Sequence, residues 1–110
     1  MRLLPLLTLC MLSAAPAAHA TASLHYLTLI NRAHARAVQV EAASAGSTAL
    51  APLSLARPID GGGGQATVAL RGLGCSVDLR LSFSDGRTVL YSAVNACRGD
   101  ALVVAPLPAR

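Results

Sequence analysis

The chain has 110 residues, 54% of them hydrophobic but only 3% aromatic, and a formal charge of +4 in which all nine basic residues are arginine. That length holds one compact domain and excludes a large multi-part enzyme. Phe83 is the only phenylalanine and tryptophan is absent, which excludes an aromatic stacking platform for nucleic acid.

Residues 1–20 read as a secretory signal peptide. Arg2 supplies the positive end, and Leu3 to Leu12 is an apolar run interrupted by Pro5 and Thr8. Ala18-His19-Ala20 then forms an A-x-A cleavage site before Thr21. A membrane-spanning helix needs about 20 apolar residues, and this run has about half of that. Leu9 before Cys10 is not the small residue that a lipidation site needs. Removing 20 of the 110 residues leaves 90 with charge +3, because only Arg2 is lost, and the cysteines left are Cys75 and Cys97. An even pair in an exported chain reads as a disulfide. The organisation expected is a signal peptide at 1–20, one domain at 21–105 and an extended, mobile tail at 106–110.

Ser23 to Ile30 reads as a strand, apolar on both faces and therefore central. Asn31 to Arg36 forms a turn before Ala37 to Ala42, where Val38, Val40 and Ala42 face inward and Gln39 and Glu41 outward. A helix over Asn31 to Ala43, capped by Asn31, competes with this hairpin and stays open at this point. Ala43 to Thr48 is a loop of small residues. Pro52, Pro58 and Gly61 to Gly64 make the following stretch irregular, with a short edge strand at Leu53 to Leu55. Gln65 to Leu70 turns Ala66, Val68 and Leu70 inward, and Arg71 to Gly74 leads into the cysteine strand. Ala101 to Ala105 supplies a last short strand before Pro106 and Pro108.

The clearest pattern is Cys75 to Phe83. Cys75, Val77, Leu79, Leu81 and Phe83 share one face, and Ser76, Asp78, Arg80 and Ser82 the other. Asp85-Gly86 is a hairpin-turn signal, since glycine accepts positive φ, and Thr88 to Val94 returns. A turn centred on Gly86 sets Phe83 against Val89, Leu81 against Tyr91 and Leu79 against Ala93, and brings Cys75 opposite Cys97 at the open end. Six or seven short strands with Gly/Pro punctuation predict an all-β fold, a small antiparallel β-sandwich (Ig-like or open barrel) with one disulfide.

Candidate chemistry is sparse. A phosphate loop needs glycines before a helix and usually a lysine, whereas Gly61 to Gly64 precede a strand in a chain without lysine, so they read as a flexible turn. Ser76, Ser84, His25, His34, Asp78 and Asp85 contain no Gly-x-Ser-x-Gly elbow. Asp78 and Ser76 would point outward from one strand, with no histidine placed beside them. His25 and His34 have no carboxylate at ligand spacing, so neither a metal nor another cofactor is implied. Arg32, His34 and Arg36 form a basic cluster at the tip of the first hairpin, a candidate contact surface for phosphate, lipid headgroups or an acidic protein. Export and a charge of only +3 argue against nucleic acid as a partner.

The run Gly74-Cys75-Ser76-Val77-Asp78-Leu79-Arg80, then Asp85-Gly86, then Val94-Asn95-Ala96-Cys97, resembles a group of small exported bacterial β-sandwich proteins of uncharacterised function. Their C-x-x-D-[LI]-R strand, D-G hairpin and second cysteine are matched here, and Leu29-Ile30-Asn31-Arg32 is similar too. The resemblance covers most of residues 24 to 103. It implies a β-sandwich in the periplasm or secreted, and carries over no catalytic residue. This chain lacks aromatic residues between Ser44 and Leu50. The expectation is a non-enzymatic module working through protein or envelope contacts, at the Ala43–Gly64 loop and at Arg32 to Arg36, without a transmembrane segment. A secreted enzyme inhibitor is the alternative, and a small hydrolase or ligand carrier a third reading.

Overall fold

In the computed structural model, which describes residues 23–108, the alternating segments fold into seven strands and no helix. They are β1 (Leu24–Asn31), β2 (Ala37–Ser44), β3 (Ala51–Pro52), β4 (Gly64–Arg71), β5 (Ser76–Phe83), β6 (Thr88–Asn95) and β7 (Leu102–Val104). Residues 1–22, which contain the segment expected to be a signal peptide, and residues 109–110 lie outside the described residues. One sheet runs β4-β1-β7 and the other β3-β2-β5-β6. β1 is thus central in its sheet, as its apolar character on both faces predicts.

The two sheets enclose a core of small aliphatics. Leu27 and Leu29 of β1, Val40 of β2, Val68 and Leu70 of β4, and Val77, Leu79, Leu81 and Phe83 of β5 are buried. Period-two alternation makes this possible, since one register presents every second side chain to the facing sheet. The odd-numbered residues of β1 are the inward set. On the outer face, Arg80 donates from Nε and Nη2 to the two Glu41 carboxylate oxygens, 2.9 Å each, across the β2–β5 ladder where the two residues are partners. Such bidentate geometry fixes register as well as adding energy.

Several expectations need correction. Residues 31–36 form neither a hairpin tip nor a helix. β1 and β2 lie in different sheets, so this segment crosses from one to the other at the end of the sandwich. Val38 points outward, 45% exposed, because the β2–β5 ladder shifts between Ala37 and Gln39 and reverses the alternation there. The short edge strand is Ala51–Pro52 rather than Leu53 to Leu55; Leu53 and Leu55 instead turn their side chains against the core. The fold class itself is as expected, two largely antiparallel sheets, in which β7 pairs with β1 in parallel. The tail is anchored as far as Pro108, whose carbonyl accepts a hydrogen bond from Arg87 while Leu107 packs on the core.

The hairpin register differs by two residues from a turn centred on Gly86. Phe83 N–H donates to the Arg87 carbonyl at 2.8 Å and Gly86 N–H to the Phe83 carbonyl at 2.9 Å. With Gly86 at φ 87°, the loop is Ser84–Gly86, a three-residue turn closed by a left-handed glycine. Val89 therefore faces Leu81 and Tyr91 faces Leu79, which keeps Val89 and Tyr91 on their predicted face, while Ala93 beyond them is exposed. The ladder then shifts between Val77 and Leu79, where Ala93 takes φ 54°. That bulge returns the strand toward Cys97. The disulfide forms as predicted, with Cα atoms 5.1 Å apart, although Cys75 is exposed and lies outside the inward row.

The glycine run is held rather than flexible. Gly62 N–H donates to Ala33 and Gly63 N–H to Asn31, and a Cβ on Gly61 would strike the carbonyl oxygens of Ala33 and His34. Gly61→Ala therefore forces backbone apart at the inter-sheet crossing. We expect it to destabilise the fold by about 1–3 kcal/mol, the range for overpacking, read as a lowered urea midpoint with an unchanged slope.

Candidate functional site

The sandwich has two ends of different chemistry. At one end lie the 32–36 crossing, Ile59 to Gly63 and the 84–87 turn. Arg32, His34 and Arg36 are all exposed there. Their loop is fixed from below by Asn31, which is fully buried. Its Nδ2 donates to the carbonyls of Ala35 and Ile59, at 3.0 and 3.1 Å, and its Oδ1 accepts from Ala33 N–H at 3.0 Å. Arg32 N–H donates to Val104, tying the loop to β7 as well. The cluster is less cationic than its sequence suggests, because Arg36 pairs with Asp60 at 3.3 Å. Both partners are well exposed, so the pair adds little stability.

The serines, histidines and carboxylates considered for nucleophilic chemistry are dispersed. His25 opens β1 and His34 lies beyond its far end. Asp78 accepts from Gly46 N–H at 3.1 Å and Ala93 N–H at 2.9 Å, so it joins the 45–50 loop to the bulge of β6. Asp85 accepts from the backbone N–H and guanidinium of Arg87. These carboxylates are used in turns and bulges, and Ser76 and Ser84 are exposed on separate ends of β5.

Along one side, the Ala43–Gly64 loop builds a groove. β3 and β4 are edge strands of their respective sheets, and the interior opens between them. The groove has a volume of about 380 Å³ and is walled by Ala51, Pro52 and Leu53 on one side and Ala69, Arg71 and Leu73 on the other. Arg71 is the charged group among these, on apolar walls. The predicted loop surface thus becomes a concave feature, and Arg71 joins it only through the fold.

The second end holds a feature invisible in sequence spacing. His25 is the first inward-facing residue of β1, and the disulfide lies across from it at the edge of the other sheet. Cys97 Sγ is 3.5 Å from His25 Nε2 and 3.7 Å from Nδ1. His25, Cys75 and Cys97 place their donor atoms within 4.8 Å of one another. Among the described residues, no helix is long and apolar enough to cross a membrane. No family model, curated protein or solved structure matches this chain.

Proposed function

We propose that this chain is an exported, non-enzymatic β-sandwich module of bacterial type that works by gripping a protein or envelope partner. The observation that carries the reading is the groove between β3 and β4. It combines apolar walls from the Ala43–Gly64 loop with one arginine at Arg71, the mixture of an apolar body and a few placed polar groups found in binding clefts. The exposed Arg32 and His34 supply a second contact surface at the far end. The disulfide suits an oxidising compartment, and the apolar segment before Thr21 supplies the export address.

The test is crosslinking capture from envelope extracts with the mature protein and two variants. Ala51→Asp with Arg71→Glu alters the groove at exposed positions, and Arg32→Ser with His34→Ser alters the far loop. We expect the groove variant to lose the partner that the parent enriches, with melting temperature preserved. Identical capture by parent and both variants would remove the surface assignment.

A further inference from the structure

We propose that the His25–Cys75–Cys97 cluster is a redox-gated site for a borderline-soft divalent cation such as Zn²⁺, closed while the disulfide is intact and open when it is reduced. The ligand set is Cys₂His, which holds Zn²⁺ tetrahedrally with one position left for water. From Zn–S of about 2.3 Å and Zn–N of about 2.0–2.1 Å, neighbouring donors around the ion lie about 3.4–3.8 Å apart. The His25 nitrogens already stand 3.5 and 3.7 Å from Cys97 Sγ. The two sulfurs must separate, and Cys75 Sγ must settle at ligand spacing from a His25 nitrogen that already lies within 4.8 Å; side-chain rotation over a Cα spacing of 5.1 Å allows both.

The backbone holds the two cysteines near each other independently of the bridge. Ala96 N–H donates to the Cys75 carbonyl at 2.7 Å, and Cys97 N–H donates to Asn95 Oδ1 at 2.9 Å. Ser76 and Asn95 pair in the ladder immediately beside them. His25 is fixed on the facing sheet, opposite Leu70 in the β1–β4 ladder. Both cysteines are exposed, so a thiol reductant and then a cation can reach them.

The chemistry balances with a dithiol as reductant. Its thiolate attacks one sulfur and the Cys75–Cys97 bond breaks. The second thiol then resolves the mixed disulfide, leaving an oxidised dithiol and two cysteine thiols. Zn²⁺ binding displaces the two thiol protons, and neutral His25 contributes a nitrogen lone pair. Exchange with the oxidised dithiol runs the same steps in reverse: the two thiolates become the disulfide, the dithiol is re-formed with two protons taken up, and the ion is released.

The experiment titrates the mature protein with Zn²⁺, and separately with Co²⁺, in oxidised and reduced forms, alongside His25→Ala. The expected result is one ion per reduced chain and none held by the oxidised chain, with the visible bands of tetrahedral thiolate-bound Co²⁺. His25→Ala should weaken Zn²⁺ binding by more than about tenfold, since removing even an outer partner of a ligand costs about 10–100-fold. Its oxidised form should melt near the parent. Should reduction unfold the chain, Zn²⁺ must restore the β-sheet circular dichroism of the parent and fail to restore that of His25→Ala. Equal affinity in oxidised and reduced protein, equal affinity in parent and variant, or no refolding by Zn²⁺ would overturn the site.

Discussion

Asn31→Ala is expected to lower stability by about 3–5 kcal/mol, although the side chain is small and belongs to no obvious site. Asn31 is fully buried and bonds three backbone groups, the N–H of Ala33 and the carbonyls of Ala35 and Ile59. Removing it strands the Ala33 N–H and the Ala35 carbonyl, while the Ile59 carbonyl loses one of two donors and keeps the Ala37 N–H; an unsatisfied buried group costs about 1–3 kcal/mol. Asn31→Asp separates this cause from lost volume. The aspartate keeps the acceptor for Ala33 but turns an oxygen toward two carbonyl oxygens, so near-neutral pH should find it at least as unstable as the alanine variant. Acidification, by protonating the introduced carboxyl, should recover part of the difference. Urea unfolding of both variants across pH reads this directly. A midpoint within error of the parent would show that the crossing is held by other means.

Asn31 also illustrates what the sequence reveals. Read locally, it initiates a turn or caps a helix, and its actual bond to Ala33 N–H two residues on is the same short-range ability. Its bond to Ile59, 28 residues away, depends on the fold. The same division runs through the rest of the chain. Alternation identified the inward faces of β4 and β5, because burial on one face enforces period two. The hairpin register was ambiguous, because Asp85-Gly86 fits both a turn centred on glycine and a three-residue loop ending in it. Ala93 at φ 54° could not be anticipated from alanine, which has no preference for that region; the Asp78 carboxylate holds its N–H from the neighbouring strand. Arg71 in the groove and His25 beside the disulfide are contacts across sheets or edges. Sequence spacing carries no signal for either.

Breaking the disulfide with Cys75→Ala plus Cys97→Ala should cost about 2–5 kcal/mol, the usual range for a native bridge in a small domain. The bridge closes a segment 22 residues apart in sequence, for which the chain-entropy account gives about 3 kcal/mol. A domain of this size has only about 5–15 kcal/mol in total, and each kcal/mol shifts the melting temperature by about 4–8 °C. The double variant should therefore melt roughly 12–24 °C below the parent. It should still fold, because the hydrogen bonds of Ala96 and Cys97 and the β5–β6 ladder do not require the S–S bond. The denaturant slope separates the two ways this could happen. If the bridge acts mainly by restricting the unfolded chain, its loss exposes more surface on unfolding and the slope rises. If it instead holds a native corner together, the slope stays fixed and β6 loses amide protection near Asn95 first. We expect the steeper slope. Equal melting of parent and variant would mean that the core of Leu29, Leu79 and Leu81 carries the fold without the bridge.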